Sequence, residues 1–254
     1  MDFKCALVTG GGGGIGKALA HELISQGKKV IIVGRTESKL KQACKDIGAA
    51  ADYVLDTGVV SEIPAFVRYL ISEHPELDCL VNNAGVQRSL SVLDMAPEEL
   101  LERADQEIDI NARGPMHLTL HLMTHFKQKP QAIVINVSSV LGFAPFSLIN
   151  LVYNGTKAWL HFWSINLRAQ LEETGVKVVE IARPTVETDF HRERENPDDN
   201  KKDNNPNAQS VDEFIAEVRR RLVNGDETIG TGMSINIIRQ WDESMGSVFT
   251  KLRT

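Results

Sequence analysis

The chain has 254 residues and a net charge of −6, with 42% hydrophobic and 24% charged residues, an ordinary composition for a globular protein. No basic stretch interleaves with aromatic residues, so nothing indicates nucleic-acid binding. The three cysteines, Cys5, Cys44 and Cys79, form no CxxC pair, which favours reduced intracellular thiols over a disulfide framework. The chain begins directly with a strand-like segment, and its apolar runs are short. We therefore expect a cytoplasmic protein without a signal peptide or membrane span.

Short runs rich in Val and Ile alternate with amphipathic stretches along most of the chain. Strands are predicted over residues 5–9, 30–33, 52–55, 78–81, 132–137 and 176–181. Helices are predicted over residues 15–26, 37–47, 62–72, 97–126, 151–173 and 211–223. Buried parallel strands are covered on both faces and read as apolar runs. The alternation predicts an α/β fold of Rossmann type, a doubly wound parallel sheet with helices on both faces.

We expect one domain over residues 1–254, in which residues 189–254 form a substrate loop, a cap helix and a C-terminal segment. Residues 191–207 read HRERENPDDNKKDNNPN and offer almost nothing to bury. Such a segment is either a solvated, disordered loop or a mobile flap over a site. The sequence leaves both interpretations open.

A run of glycines follows the first predicted strand. After Thr9, residues 10–16 read GGGGGIG, and a predicted helix begins at once. Glycines in such a turn let the backbone approach a pyrophosphate, and the helix N-terminus attracts its charge. Three spacings fit known dinucleotide fingerprints, and the sequence does not choose among them: Gly11/Gly13/Gly16, Gly10/Gly14/Gly16 and Gly10/Gly13/Gly16.

The second predicted strand ends without an acidic residue. A carboxylate for the ribose 2′-hydroxyl is expected about 20 residues past the glycines. Gly34 and Arg35 stand there instead. A guanidinium suits a 2′-phosphate, which a carboxylate would repel. Thr36 stands at a helix N-cap and offers a further hydroxyl. The sequence therefore predicts NADP(H) rather than NAD(H).

Further polar motifs follow the later strands. Asn82-Asn83-Ala84-Gly85 follows the fourth, Ser138-Ser139 follows the fifth, Asn111 lies in the long helix, and Tyr153-Asn154-Gly155-Thr156-Lys157 opens the next helix. Together with Thr9 and the Gly10/Gly14/Gly16 turn, they make the chain resemble the classical short-chain dehydrogenase/reductase family from about Phe3 to Thr188. The resemblance implies an NADP(H)-dependent oxidoreductase, a carbonyl reductase or alcohol dehydrogenase with a small-molecule substrate.

The resemblance also implies roles for individual residues. Tyr153 is expected to be the acid/base, Lys157 its activator, Ser139 the group that holds the substrate oxygen, and Asn111 part of a water-linked proton path. Asp56 would hold the adenine amino group and Thr188 the nicotinamide carboxamide. The cofactor-binding set is Thr9, Gly10, Gly14, Ile15, Gly16, Arg35, Thr36, Asp56, Asn83, Ala84, Gly85, Tyr153, Lys157, Pro184 and Thr188. No metal is expected.

The tyrosine chemistry also has support from the residues themselves. Tyrosine has a reference pKa of about 10, and a nearby ammonium favours its ionised form. Because Tyr153 and Lys157 are four positions apart in a predicted helix, they share one face. The helices over residues 97–126 and 151–173 resemble the pair that forms the family's two-fold interface, so a homodimer is expected, with a tetramer as the alternative.

The chain departs from the family pattern in three places. Ser139 and Tyr153 are 14 positions apart, one more than usual. Thr185 follows Pro184 where glycine is usual, and threonine disfavours positive φ. The Gly-rich ending common in the family is also missing, which weakens the expectation of a tetramer. Two other enzyme classes on the same fold, epimerases and dehydratases, stay open, as does a non-catalytic NADP(H)-sensing regulator.

Three further groups of side chains call for interpretation. An apolar loop lies between Ser139 and Tyr153 and is expected to line the pocket, which favours a substrate with apolar bulk. Two tryptophans are expected in the core or at a subunit contact, and a histidine stripe is interpreted as a solvated or subunit-facing surface rather than a metal site. These groups are Phe143, Pro145, Phe146 and Leu148; Trp159 and Trp163; and His117, His121 and His125.

Overall fold

One sheet of seven parallel strands lies at the centre of residues 2–252, the part of the chain that this computed structural model describes. The strands are β1 (Cys5–Thr9), β2 (Lys29–Gly34), β3 (Ala51–Val54), β4 (Cys79–Asn82), β5 (Ala132–Ser139), β6 (Val176–Arg183) and β7 (Thr228–Gly230). Their order is β3-β2-β1-β4-β5-β6-β7. The order reverses between β1 and β4, which opens a crevice at the carboxyl ends of the strands.

Helices cover both faces of the sheet, which confirms the doubly wound architecture. They are α1 (Gly14–Ser25), α2 (Glu37–Ile47), α3 (Ile63–Glu73), α4 (Pro97–Ile108), α5 (Gly114–Phe126), α6 (Leu151–Gln170), α7 (Val211–Asn224), α8 (Ser234–Trp241) and α9 (Ser247–Leu252). Alternate strand residues point to opposite faces. Val8 therefore joins the core under α1 and α7, and Leu7 joins the core under α3 and α5. None of these helices is long and apolar enough to cross a membrane.

The helix expected over residues 97–126 is interrupted. A π-helical turn, Asp109–Arg113, separates α4 from α5. Such a turn accommodates one extra residue and changes the direction of the following side chains, and it is common at functional sites. Here it carries Asn111, whose amide is bonded to the loop after β4. Hydrophobic periodicity does not reveal this interruption because the helical pattern continues on both sides.

The segment expected as a substrate cap also completes the sheet. Phe214 and Val218 of α7 pack into the same core as α1, and β7 pairs in parallel with β6. With three residues, β7 is too short to be recognised by its pattern. The predicted bounds 1–254 and 189–254 include residues 1, 253 and 254, which lie outside the described residues. The interpretation as one domain stays a prediction.

Asp78 lies outside the fourth strand, in which the sequence placed it. Its carboxylate accepts hydrogen bonds from the backbone N–H groups of Lys4 and Cys5, at 2.8–3.0 Å. The side chain therefore fixes the beginning of β1, while β4 starts one residue later. This polar role explains why an aspartate precedes an otherwise apolar strand.

The polar segment 191–207 folds into a series of turns and a short 3-10 helix, Asp189–His191. Its buried side chains are polar. Asn200 donates hydrogen bonds to the carbonyls of Val186 (3.0 Å) and Thr188 (2.9 Å), and His191 is bonded to Asp199. The segment is therefore attached to the chain that follows β6 by hydrogen bonds, a device that composition does not reveal. Its role as a flap stays a prediction.

Candidate active site

The crevice at the carboxyl edge of the sheet contains a cleft of about 510 Å³. Most of the predicted site residues line it, although they are distant in sequence: Gly10, Gly14, Ile15, Gly16, Arg35, Thr36, Asp56, Asn83, Ala84, Gly85, Tyr153, Lys157 and Thr188. Four others, Thr9, Asn111, Ser139 and Pro184, are buried behind this lining. The fold thus brings the predicted residues to one place.

The glycine turn between β1 and α1 is constrained at particular positions. Gly10 and Gly14 have positive φ, 68° and 50°, which favours glycine. A Cβ at Gly16 would lie 2.3 Å from the carbonyl oxygen of Gly10. Gly13 has extended backbone and open space around it. Of the three spacings that the sequence left open, the structure therefore favours Gly10/Gly14/Gly16, because the other two require a glycine at position 13.

The N-terminus of α1 faces this turn with its backbone N–H groups. Among the described residues, no side chain caps it, and its first turn contains no acidic residue. Uncapped N–H groups at a helix N-terminus attract anions through hydrogen bonds and the helix dipole. The turn is therefore a cradle that suits a pyrophosphate.

Thr9 joins the ends of β1 and β4. Its hydroxyl accepts hydrogen bonds from the N–H groups of Asn83 and Ala84, each at 2.9 Å, and donates to the carbonyl of Val81 at 3.2 Å. The Asn83 amide in turn donates to the Thr9 carbonyl at 2.9 Å. Because these bonds occupy the Thr9 hydroxyl, Thr9 holds the cleft wall in place.

The opposite end of the cleft, beyond β2, carries both signs of charge. Arg35 Nη1 lies 3.9 Å from Asp56 Oδ2, and both side chains are exposed to solvent. Thr36 stands at the N-cap of α2, and its side chain makes no capping hydrogen bond. Lys39, which the sequence analysis missed, also lines the cleft. The sequence contained a signal for Lys39: it stands three positions after Thr36, the N-cap of α2, and residues three positions apart lie on the same side of a helix.

Tyr153 and Lys157 lie on the inner face of α6. Tyr153 is completely buried, and Lys157 Nζ lies 5.5 Å from the centre of its ring. The Lys157 ammonium donates to the carbonyl of Val137 at 3.0 Å. Burial and the nearby Arg183 lower the pKa of Lys157 to about 7. Burial raises the pKa of Tyr153, while the Arg183 charge and a hydrogen bond with Ser139 oppose that rise.

Asn111 uses its side-chain amide to connect three elements. The amide oxygen accepts from the N–H of Val86 at 2.9 Å, and the amide nitrogen donates to the Val86 carbonyl at 2.8 Å and to Thr156 Oγ1 at 3.2 Å. These bonds connect the π-helical turn with the loop after β4 and with α6. Asn111 therefore positions the helix that carries Tyr153 and Lys157.

Arg183 is the main residue of the site that the sequence analysis missed. It ends β6, and its Nη2 donates a hydrogen bond to the Tyr153 hydroxyl at 2.9 Å. Its guanidinium carbon lies 4.4 Å from the centre of the Phe190 ring. The available signal was a cation at the carboxyl end of an apolar strand, directly before Pro184. At that edge of a parallel sheet, side chains face the site.

The backbone beyond Arg183 is unstrained. Among the described residues, only glycines have positive φ, so Thr185 does not adopt the left-handed conformation that threonine disfavours. The substitution of the usual glycine by Thr185 therefore causes no strain here.

The apolar loop between Ser139 and Tyr153 does not line the cleft. Phe143 packs instead against the rings of His161, at 3.8 Å, and Trp241, at 5.9 Å. Phe146 and Leu148 are exposed to solvent. The expectation of a substrate with apolar bulk depended on these side chains, and it loses that support.

The two tryptophans and the histidine stripe singled out in the sequence lie outside the cleft. Trp159 and Trp163 stack with ring centres 5.3 Å apart, and Trp163 packs against the core under α5. His125 Nε2 lies 2.8 Å from the Leu77 carbonyl. No group of three potential metal ligands is present within residues 2–252.

Comparison with known proteins gives similarities at three levels. Residues 4–199 match the family described as short chain dehydrogenase. The uncharacterized oxidoreductase DltE of Bacillus subtilis (strain 168) is 37% identical over 192 residues, which are 76% of this chain and 75% of that protein.

Among solved structures, a short-chain dehydrogenase from Sphingobium yanoikuyae in complex with NADPH superposes with a TM-score of 0.82. The superposition covers 99% of this chain and 95% of that structure, at 22% sequence identity. At this identity the similarity shows the fold alone. A closed form of serine dehydrogenase complexed with NADP⁺ is 27% identical, with a TM-score of 0.77 and coverage of 89% and 94%.

Proposed function

Because the chain belongs to the short-chain dehydrogenase family and its relatives are oxidoreductases, we propose that it is an NADP(H)-dependent carbonyl reductase or alcohol dehydrogenase. The observation that carries the proposal is the cleft itself. Tyr153 and Lys157 line it together with the glycine turn between β1 and α1. When bound, the nicotinamide exchanges a hydride with a carbonyl or secondary-alcohol carbon.

The residues of the cleft fit a phosphorylated dinucleotide. The close approach of Gly16 to Gly10 leaves no room for a side chain, and the uncapped N-terminus of α1 suits the pyrophosphate. Arg35, Thr36 and Lys39 would hold the 2′-phosphate. The other predicted positions would follow the dinucleotide along the cleft, with Asp56, Asn83, Ala84 and Gly85 on the adenosine side and Pro184 and Thr188 beside the nicotinamide.

Tyr153 would give its hydroxyl proton to the carbonyl oxygen, and take it back in the reverse reaction. Such transfer near neutral pH requires a tyrosine pKa that falls from about 10 to about 7, or about 4 kcal/mol of preferential stabilisation of the ionised form. Burial works in the opposite direction. The positive charges of Lys157 and Arg183 favour the ionised form, and the Ser139 hydroxyl would fix the substrate oxygen.

Two alternatives compete with this proposal: an epimerase or dehydratase on the same fold, and a non-catalytic sensor of NADP(H). A sensor has no use for a proton donor beside a lysine, whereas this chain has Ser139, Tyr153 and Lys157 together. Incubation with NADPH and a panel of ketones and aldehydes separates the reductase from both alternatives. Net oxidation of NADPH supports the reductase, and its absence across the panel, with NADPH bound, contradicts it.

We also propose a cytoplasmic homodimer, with a tetramer as the alternative, that acts on a small molecule rather than on nucleic acid or a membrane. The two-fold interface would involve α4, α5 and α6. Leu120 of α5 and Phe162 of α6 support this because both are apolar and half-exposed.

A further inference from the structure

Arg183 lies within the proposed active site, and the residue is 8% exposed. Its two hydrogen bonds run from Nη2 to the Tyr153 hydroxyl, at 2.9 Å, and from Nη1 to the Pro184 carbonyl, at 3.3 Å. Among the described residues, it forms no ion pair with a carboxylate. A buried arginine is normally paired, because desolvation of an unpaired charge is costly.

A second buried basic residue, Lys157, lies close to Arg183, and an anion bound between them would interact favourably with both. Arg183 lowers the pKa of Lys157, so the two charges repel each other. The carboxylates of Glu107 and Glu180 act on Lys157 in the opposite sense. Glu180 is already bonded to Ser138 and His161. Among the described residues, the guanidinium beside the reacting hydroxyl thus has no carboxylate partner of its own.

The Tyr153 hydroxyl is not free for a substrate in this arrangement. Arg183 is bonded to it, and Phe190 packs edge-on against the tyrosine ring at 6.0 Å. A carbonyl oxygen must take the place of Arg183 as the partner of that hydroxyl. A substrate that carries its own anion gives the displaced guanidinium a stronger acceptor at the same moment.

We propose that Arg183 binds a carboxylate of the substrate, so that the enzyme acts on oxo acids and the corresponding hydroxy acids. Arg183 Nη2 lies 2.9 Å from the Tyr153 hydroxyl before a substrate enters, so the carboxylate that Arg183 binds lies beside the carbonyl oxygen that Tyr153 protonates. The carbonyl carbon is therefore adjacent to the carboxylate or one carbon removed from it. This inference rests on the proposed oxidoreductase function.

The reaction balances with one proton from solvent. Bound NADPH would supply the hydride to the carbonyl carbon, the carbonyl π electrons would move to oxygen, and Tyr153 would give that oxygen its hydroxyl proton. The products are a hydroxy acid and NADP⁺, and the Tyr153 phenolate left behind takes a proton from solvent before the next turnover. The carboxylate keeps its charge throughout and remains bonded to Arg183.

The test compares each acid with its neutral methyl ester. We would measure kcat/KM with NADPH for 2-oxobutanoate, acetoacetate and the methyl esters of both, in the natural protein, Arg183→Met and Arg183→Lys. Arg219→Met, at an exposed position of α7 outside the cleft, is the matched control for loss of one positive charge. NADPH affinity is measured for every variant by fluorescence titration.

We expect the natural protein to prefer at least one acid over its ester. Arg183→Met should lower kcat/KM about ten- to a hundred-fold more for that acid than for its ester, the range for a lost hydrogen bond to a charged group, because any effect of the Arg183 charge on Tyr153 is common to both substrates. Arg183→Lys should recover part of the acid preference, and Arg219→Met should retain all of it. Binding of oxamate, an unreactive oxo-acid analogue, to the NADP⁺ complex should weaken in parallel by calorimetry.

Three results would overturn the inference. Equal losses for acid and ester would mean that Arg183 acts only through Tyr153. Weakened NADPH binding with an unchanged acid-to-ester ratio would assign Arg183 to the cofactor. A natural protein that reduces neutral ketones but neither reduces the acids nor binds oxamate would refute the inference and leave the proposed function intact. No reduction of any carbonyl would instead refute the proposed function.

Discussion

Glu107 on α4 is a buried carboxyl group with a testable effect on stability. Its side chain is fully buried, and neither carboxylate oxygen has a hydrogen-bond partner among the described residues. Burial raises its pKa from 4.5 to about 7, against the charge of Arg88, a weak contact with the Arg88 backbone and the charge of Lys157. The folded chain therefore keeps a proton that the unfolded chain releases. Folding stability should fall as pH rises from about 4.5 to about 7 and then level off.

The size of this effect follows from the two pKa values. The difference between 4.5 and about 7 corresponds to about 3 kcal/mol of lost stability above neutral pH. Glu107→Gln replaces the carboxyl with a neutral group of the same shape. We expect the variant to match the natural protein at pH 5 and to exceed it by about 2–3 kcal/mol at pH 8.

Urea denaturation at both pH values measures this difference. The control is Glu99→Gln on the same helix, where the carboxylate is exposed and paired with Arg103 at 2.7 Å. Such surface pairs contribute about 0–1 kcal/mol, so the control should show little pH-dependent gain. Parallel stability curves for Glu107→Gln and the natural protein between pH 5 and 8 would refute a buried, unpaired carboxyl group.

Three further predictions concern the cofactor, the polar segment and assembly. Arg35→Ala should weaken NADPH about tenfold, at the lower end of the range for a charged hydrogen bond because Arg35 is solvent-exposed, and leave NADH nearly unchanged. Fluorescence titration measures this with Arg103→Ala as the control, and equal losses for both cofactors would contradict a 2′-phosphate contact. Protease should cleave residues 191–207 quickly in the free protein and slowly when cofactor and substrate are bound. Equal cleavage rates in the free and the bound protein would contradict a role of this segment as a flap. Sedimentation at micromolar concentration should show a dimer, and a monomer would exclude the proposed interface.

The sheet was predictable because each buried parallel strand must be apolar on both faces. Six of the seven strands were recognised as short apolar runs, although the edge strand β3 is partly exposed and contains a single valine. The short β7 gains its place from pairing with β6, a non-local interaction that a local pattern cannot contain. The π-helical turn was hidden for a related reason, since its hydrogen bonds, rather than its hydrophobic spacing, distinguish it.

The site was predictable where a residue type has a backbone or chemical reason to be there. The glycine turn and the Tyr153/Lys157 pair are such cases. The spacing of the glycines did not choose among three patterns. Gly13 and Gly14 differ only in their φ angles and in the atoms close to them, which the sequence does not show. Arg183 escaped because its role depends on a hydrogen bond to a tyrosine 30 positions away, which no local motif encodes.

Substitution of Tyr153 by phenylalanine tests the proposed chemistry most directly. The change removes the donated proton and leaves the buried ring, so NADPH affinity should stay nearly intact while NADPH oxidation with a carbonyl substrate falls by orders of magnitude. Ser139→Ala should lower turnover about a hundred-fold, the usual effect of losing one preorganised donor. Lys157→Ala should reduce both turnover and NADPH affinity. Near-normal carbonyl reduction by Tyr153→Phe would show that this tyrosine is not the proton donor and would contradict the proposed mechanism.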